Sequence, residues 1–444
     1  MSLTSRLAGR LLGLPAVRTP AVQIERDLNI PADEGVQLLA DRYYPASNPT
    51  APLVLIRTPY GRRSANILIA RLFAERGYQV LIQALRGTDG SGGTFDGFTL
   101  RRADGPATIR WLRRQDWFPG AFATWGASYL GYAQWDLAST PIPEWKLAVI
   151  DVAPASFYHN FMYPGGAFAL GNALGWAQLV QSLFGRSTTP STMSAFTATR
   201  RLARACDTLP AADADQAATG SSIPYFQEWI THEEYDTYWK QMDYRGNAAH
   251  LPPVVHLGGG WVDFFLPGVL DNYVALQDPQ HTVRLLIGSV QHGRNMATRT
   301  YQRDTFALLD KAFGYPTRTE PPAVRLRITG RGHWRQEPSW PPAHRVTSWY
   351  AQPLGRLTQQ PAPDSLPSRY RYDPRNPTPT IGGTAVGLRA GARDNRDVER
   401  RADVLTFTSD PLTTDLTVIG PVHATVHIRS TLVNTDVFVR LCDV

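Results

Sequence analysis

Small residues surround Ser128 in the string Gly126–Gly131, which directly follows the apolar run Phe122–Trp125. A strand that turns sharply into a helix exposes a serine hydroxyl at its end, and small neighbours let such a strained turn form. The usual pentapeptide has glycine two places after the serine, whereas here Leu130 holds that place and Gly131 follows. On spacing alone, the alternative interpretation is a tight strand-to-helix turn in which the serine only caps the helix.

A serine hydroxyl at its ordinary pKa is a weak nucleophile, so it needs a base and a group that orients the base. Where the nucleophile stands on such a turn, the acid and then the histidine follow it along the chain. Asp263 comes after the apolar run Val254–Leu257. His292 comes in the same way after the run Arg284–Ile287. Taken alone, Asp263 could be a turn residue and His292 a buried structural histidine, but their order predicts a triad with Ser128.

Alternating strand-like and helix-like segments predict a parallel α/β sheet that would hold these residues. A short amphipathic helix is expected within Met1–Pro15. The segment Gln23–Tyr44 is typical of an antiparallel hairpin with its turn at Asp33–Gly35. The elements predicted after it are strand Pro52–Ile56, helix Asn66–Arg76 ended by Gly77, strand Gln79–Ala84, helix Asp104–Arg114, strand Phe122–Trp125 and a helix from Ser128.

Residues 154–252 predict a helical insertion, because aromatic and helix-forming residues dominate there and strand-like runs are absent. The α/β core is therefore expected in two parts, residues 1–153 and 253–315. Over residues 316–444, short β-type runs between proline- and glycine-rich turns predict a β-sandwich of the jelly-roll kind. These runs are Val324–Ile328, Arg369–Tyr372, Leu405–Thr408, Leu416–Ile419, His423–Ile428 and Val437–Leu441.

Composition excludes several other classes of protein. The 444 residues are 43% hydrophobic and 19% charged, which argues against global disorder. The net charge of +7 comes from scattered arginines and not from a patch, so neither nucleic acid nor membrane is an expected partner. Cys206 and Cys442 lie far apart, which favours a reducing cytoplasm. No histidine–carboxylate spacing is typical of a metal site.

Taken together, the motifs resemble the CocE/NonD hydrolase family, which includes cocaine esterase and is related to X-Pro dipeptidyl peptidases. The resemblance covers nearly the whole chain from about Ile24. The family's serine motif places its glycine three residues after the serine, as Gly131 stands here. The strings that carry the resemblance are Arg57-Thr58-Pro59-Tyr60, Arg86-Gly87, Gly90-Ser91-Gly92-Gly93, Trp125-Gly126-Ala127-Ser128-Tyr129-Leu130-Gly131, Gly259-Gly260-Trp261-Val262-Asp263, His292-Gly293, Tyr372-Asp373-Pro374, Gly382-Gly383 and Asn434-Thr435-Asp436.

The resemblance implies an α/β-hydrolase core, a helical cap and a C-terminal jelly roll. By position it implies Ser128 as nucleophile, Asp263 as acid and His292 as base. It further implies an oxyanion hole formed by the Tyr60 hydroxyl and the backbone N–H of Tyr129. No cofactor is required for such chemistry.

Two departures from the family pattern stand out. The family has an acidic residue in a Gln-Asp-x-Arg-Gly pattern, whereas this chain has Gln83-Ala84-Leu85-Arg86-Gly87. Family members also continue for several strands beyond the position of Val444, so the jelly roll is expected to be incomplete. Its open edge would invite pairing with another chain, which makes a homo-oligomer one expectation.

The expected activity is hydrolysis of a small acyl ester or amide through a covalent acyl-enzyme. An X-Pro dipeptidyl peptidase is the alternative within the enzyme class, and it would need an acidic anchor for a substrate amine. Phe264 and Phe265, which follow the triad acid, favour a neutral acyl group. A carbohydrate-binding protein with a silent core is the alternative of another class, against which the complete residue set argues. The candidate acidic anchors are Asp271, Glu228, Glu233 and Glu234.

Overall fold

The computed structural model describes residues 3–63, 66–184, 195–316, 319–330, 332–362, 364, 366–384 and 390–444. The chain divides into two compact units, Met1–Gln336 and Glu337–Val444.

A sheet of ten strands organises the described part of the first unit, in the order β1-β2-β4-β3-β5-β6-β7-β8-β9-β10. The pairs β1/β2 and β2/β4 are antiparallel, while the strands from β4 across to β9 are parallel. The strands are β1 (Val22–Pro31), β2 (Gln37–Pro45), β3 (Leu53–Thr58), β4 (Gln79–Ala84), β5 (Phe122–Ala127), β6 (Trp145–Asp151), β7 (Val254–Val262), β8 (Thr282–Gln291), β9 (Val324–Arg327) and β10 (Trp334–Glu337).

The central strands form because most of their residues are apolar and both of their faces are covered. Every residue of β3, β4 and β5 is buried, as expected for parallel strands with helices on each side. The helices of this part are α1 (Leu3–Leu11), α2 (Asn66–Ala74), α3 (Asp104–Leu112) and α4 (Tyr129–Leu137). One core cluster joins the sheet to its helices through Val54, Ile56, Phe73, Val80, Ile82 and Trp125.

Between β6 and β7 the described residues form helices and short helical turns, as the sequence predicted. The helices are α5 (Leu170–Leu183), α6 (Ala195–Cys206), α7 (Ala214–Thr219), α8 (Pro224–Thr231) and α9 (Thr237–Lys240). Two further helices pack against the later strands, α10 (Leu266–Ala275) and α11 (Arg299–Ala312). Among the helices described, none has the length and apolar composition needed to cross a lipid bilayer.

Strands β6 and β9 differ from the sequence-based prediction. Strand β6 was not predicted, although the run Leu147–Ile150 is apolar throughout. The run at Val324, assigned from sequence to the sandwich, instead pairs in parallel with β8, with Leu285 opposite Val324. The exposed edge of β8 can accept another strand, and pairing there buries Val324 and Leu326 completely. The compact first unit therefore extends to Gln336.

The second unit contains a hairpin of β11 (Tyr350–Gln352) and β12 (Arg356–Thr358), and a short helix α12 (Arg396–Glu399). Of the β-type runs predicted beyond residue 337, only Leu405–Thr408 pairs within the described residues, through a bridge between Thr408 and Arg356. A β-type run becomes a strand only where a neighbour supplies backbone partners and apolar cover. The runs without such pairing are Arg369–Tyr372, Leu416–Ile419, His423–Ile428 and Val437–Leu441.

Candidate active site

The turn between β5 and α4 has the strained geometry that exposes a serine side chain. Ser128 has φ 56° and ψ −125°, a conformation that L residues rarely adopt. A Cβ atom on Gly126 would lie 2.3 Å from the Cβ of Leu130, and one on Gly131 would lie 2.5 Å from the Cβ of Ala153. Glycine is therefore required at both places. The contact with Ala153 explains why the second glycine stands three residues after the serine.

The structure brings the three predicted triad residues into one hydrogen-bonded chain. The Nε2 atom of His292 lies 2.9 Å from the Oγ atom of Ser128. Its Nδ1 atom lies 2.9 Å from the Oδ2 atom of Asp263. Asp263 is fully buried, and its other carboxylate oxygen accepts the backbone N–H of Phe265 at 2.8 Å. These side chains meet because β5, β7 and β8 end at the same edge of the sheet.

Aromatic rings and a buried amide hold His292 in place. The ring of Phe264 stacks on the imidazole with centroids 4.5 Å apart, and the ring of Phe265 meets it edge-on at 5.3 Å. Three residues further on, Asn295 is fully buried and donates to the carbonyl of Gly259 at 2.6 Å. The loop that carries His292 is thereby tied to β7.

A buried carboxyl group that the sequence analysis missed lies beside the triad. Asp151 is the last residue of β6, is fully buried, and accepts a hydrogen bond from Asn295 at 3.1 Å. Burial raises its pKa to about 8, and the charge of Asp263 adds to this rise while the bond from Asn295 opposes it. A Cβ atom on Gly258 would lie only 2.0 Å from this carboxyl group, so the site requires glycine there. The signal in the sequence was the apolar run that ends at Asp151.

Tyr60 follows β3 and reaches the same edge of the sheet. Its backbone N–H donates to the Oγ1 atom of Thr58 at 3.0 Å, which closes the turn. Its hydroxyl accepts a hydrogen bond from the indole N–H of Trp176 at 3.1 Å. Burial raises the pKa of Tyr60 to about 12, while hydrogen bonds with Trp176 and Ser128 act in the opposite direction. The phenol is therefore protonated at neutral pH and can donate.

The Tyr60 loop is fixed by a buried arginine two residues later. The guanidinium of Arg62 lies between the carboxylates of Asp27, at 2.9 Å, and Asp89, at 3.0 Å. The backbone N–H of Arg62 also donates to Asp89 at 2.7 Å. This pairing limits how far the turn that carries Tyr60 can move.

Tyr129 directly follows Ser128, and its side chain is held away from the triad. Its hydroxyl donates to the carbonyl of Gly97 at 2.6 Å, and its ring meets that of Tyr60 edge-on at 6.3 Å. Tyr129 is the first residue of α4, and the first N–H groups of a helix have no partner within the helix. Its N–H therefore has no partner within the helix and lies beside Ser128.

The acidic residue that the family has before its Arg-Gly pair is absent from this chain, and an acid on another element pairs with the arginine instead. Ala84 takes the place of the family's acid and is buried, and Arg86 pairs with Asp104 through two hydrogen bonds of 3.0 and 2.6 Å. The charge of the arginine is thus balanced from helix α3, which the sequence pattern did not indicate.

The fold and the site define an α/β hydrolase. A family model described as X-Pro dipeptidyl-peptidase (S15 family) matches residues 34–294, and a model of the X-Pro dipeptidyl-peptidase C-terminal non-catalytic domain matches residues 317–444. Because the first match spans more than half of the chain, the protein belongs to the X-Pro dipeptidyl-peptidase (S15) family and is a hydrolase. Its C-terminal region is of the non-catalytic type.

Known relatives agree with this assignment. The chain is 29% identical to cocaine esterase from Rhodococcus sp. (strain MB1 Bresler) over an alignment 466 residues long. The alignment covers 95% of this chain and 80% of that protein. An α-amino acid ester hydrolase has the same fold, with a TM-score of 0.72, 22% identity and 92% of this chain and 76% of that chain covered. An aminopeptidase from a marine sediment Thaumarchaeota archaeon has a TM-score of 0.74 and 22% identity, covering 90% of this chain and 73% of that one. The resemblance to the CocE/NonD family is confirmed.

Proposed function

We propose that the protein hydrolyses small acyl esters with Ser128 as nucleophile, His292 as general base and Asp263 as the acid that orients the base. The observation that carries this proposal is the unbroken hydrogen-bonded chain from the Ser128 hydroxyl through both imidazole nitrogens to a buried carboxylate, with 2.9 Å at each step. Such a chain places the base within reach of the proton it must remove.

The reaction follows from these positions. Ser128 attacks the acyl carbonyl as His292 takes the hydroxyl proton, and Asp263 stabilises the imidazolium that forms. The tetrahedral intermediate then releases the alcohol, which receives the proton from His292. A water molecule attacks the acyl-enzyme with the same base, and the carboxylic acid leaves while Ser128 regains its proton.

The negative charge of the tetrahedral intermediate needs donors that are already in place. We assign this role to the hydroxyl of Tyr60 and the backbone N–H of Tyr129. Both lie next to Ser128, and the high pKa of Tyr60 keeps its proton available for donation. Removing one such donor costs about 3 to 4 kcal/mol of transition-state stabilisation.

The surroundings of the triad favour a neutral, apolar acyl group. Phe264 covers one side of His292, and the ring of Phe161 from the helical insertion lies 5.3 Å from that of Phe264. Burying an unpaired charge against such rings would be costly. We infer that residues 154–252 act as a cap that supplies this apolar wall.

The family name makes an X-Pro dipeptidyl peptidase the second candidate. That activity needs a carboxylate to bind the free amine of the substrate. Glu228 and Asp236 on the insertion are both paired with His232, at 3.3 and 2.6 Å, and Asp243 pairs with Arg245. These three acids already have partners, which makes them poor anchors for a substrate amine.

The two candidates are separated by a substrate panel. Purified protein would be assayed with p-nitrophenyl acetate, butyrate and benzoate, and in parallel with Gly-Pro and Ala-Pro p-nitroanilides. The esterase proposal expects turnover of the esters that is lost in the Ser128→Ala variant. Efficient release of p-nitroaniline, with ester turnover no greater than in the variant, would overturn it in favour of the peptidase.

A further inference from the structure

We infer that Trp176, on helix α5 of the insertion, is a positioning residue for the Tyr60 hydroxyl, so that the cap completes the oxyanion hole. This inference rests on the proposed function, because it assigns a partner to one of the two proposed donors. The observation behind it is the hydrogen bond of 3.1 Å from the indole N–H to the phenol oxygen.

The direction of this hydrogen bond is fixed by chemistry. An indole N–H can only donate, so the oxygen of Tyr60 must be the acceptor. A phenol has a single proton, and that proton cannot also point toward the indole nitrogen. Ser128 is another hydrogen-bonding neighbour of the hydroxyl. The contact with Trp176 therefore turns the proton of Tyr60 toward the nucleophile, where the oxyanion forms.

The indole is held firmly enough to do this. Its ring stacks parallel to that of Tyr129 at 6.0 Å with 8° between the planes, and it lies 4.3 Å from the ring of Phe98. It also packs against Tyr225 and Trp229 at 5.9 and 5.7 Å. A side chain packed against these four rings, and against that of Phe95 at 6.2 Å, has little rotational freedom left to lose when it forms a hydrogen bond.

One cap residue thus contacts both proposed donors. Trp176 donates to the hydroxyl of Tyr60 and stacks on the side chain of Tyr129, whose backbone N–H is the second donor. A hydrogen bond accepted by the phenol oxygen also polarises the phenol O–H bond. The O–H group is thereby a stronger donor to an oxyanion. A shift of helix α5 away from the sheet would break the hydrogen bond to Tyr60 and free its hydroxyl to rotate, while the triad stayed in place.

The test is a double-mutant cycle with Trp176→Phe and Tyr60→Phe on p-nitrophenyl acetate. Loss of one neutral hydrogen bond predicts a fall in kcat of about tenfold for Trp176→Phe, with KM nearly unchanged. If the indole acts through the phenol, adding Trp176→Phe to Tyr60→Phe should cost no more than about a factor of two. The matched control is Trp239→Phe, which removes an indole N–H that donates to the carbonyl of His232 at 2.7 Å elsewhere on the insertion and should leave kcat within about twofold.

A second substitution guards against misfolding. Benzothienylalanine at position 176 keeps the bicyclic shape but replaces the N–H by sulfur, so it should reproduce the kcat of Trp176→Phe with an unchanged melting temperature. The inference is overturned if either variant keeps full kcat, or if its loss persists undiminished on the Tyr60→Phe background. A loss that appears in KM and grows with acyl size would instead make Trp176 an acyl-pocket residue. Failure of the proposed function would look different, since Ser128→Ala would then retain activity.

Discussion

The two sides of Ser128 differ in the residues that form them and in the elements that carry these residues. On the core side, polar groups stand at the ends of neighbouring parallel strands and bond to each other at 2.9 Å. On the cap side, aromatic rings from inserted helices pack over the site, and Trp176 makes a polar contact with Tyr60. Strand ends are fixed by the backbone ladder, whereas inserted helices are fixed by packing. We therefore expect core-side residues to carry the chemistry and cap-side residues to adjust it.

The largest effect should follow from removing the base. His292→Ala should lower kcat for an aryl ester by about 10⁴-fold or more, because Ser128 then has no group to take its proton. His250→Ala is the matched control, since His250 lies outside the triad and its Nδ1 atom is 3.1 Å from the carbonyl oxygen of Ala138. An activity of His292→Ala within about a factor of ten of the parent would contradict the core-side assignment.

The next effect concerns the oxyanion hole. Tyr60→Phe should lower kcat by about a hundredfold with little change in KM, because the lost donor acts only in the transition state. Tyr158→Phe is the comparison on the cap side, where the hydroxyl donates to the carbonyl of Glu233 at 2.7 Å. Equal losses in the two variants would break the distinction between core and cap.

The pH dependence of stability tests the core side of the comparison through Asp151, the buried carboxyl group beside the triad. The pKa of Asp151 rises from its ordinary value of 3.8 to about 8 on folding, so between these values the folded protein holds a proton that the unfolded chain has released. Stability must then fall as pH rises through this window, by at most about 1.4 kcal/mol per pH unit, and level off above pH 8.

Asp151→Asn removes this titration while it keeps the shape of the side chain. The free energy of unfolding of Asp151→Asn relative to the parent should therefore increase between about pH 5 and pH 8, and stay constant at higher pH. Urea unfolding curves at about pH 5, 7 and 9 would measure it. A difference that is independent of pH would mean that Asp151 is ionised in the folded protein across the whole range.

The smallest effect is expected from the apolar wall. Phe161→Leu should raise KM for a benzoyl or butyryl ester by about threefold, since some apolar contact with the acyl group is lost. For the acetyl ester, which is too short to fill the wall, KM should hardly change, and kcat should stay within about twofold for all three. A loss of kcat comparable to that of Tyr60→Phe would show that the cap does chemistry as well.

What could be predicted from the sequence follows the same division. The proximity of Ser128, Asp263 and His292 could be predicted because a parallel sheet gathers the ends of its strands at one edge, so that order along the chain implies closeness in the fold. Trp176 could not be found, because the position of an inserted helix depends on packing that no periodicity records. Asp151 was missed with its strand, although the apolar run before it was present in the sequence.

The same reasoning explains the C-terminal differences. The run at Val324 has the composition of a sandwich strand, but in the structure it pairs with the edge of β8 in the first unit. Local composition states that a segment can be a strand and does not state with which segment it pairs. In the same way, the sequence showed that Arg86 lacked its usual acid but not that Asp104 would balance it.

The central claim is that Ser128 forms the covalent intermediate. The most direct measurement is labelling with a fluorophosphonate probe, followed by peptide mass spectrometry on the parent and on Ser128→Ala. The account predicts one adduct, on the peptide that contains Ser128, and none in the variant. An adduct on another serine of the parent, or labelling that survives in Ser128→Ala, would contradict it.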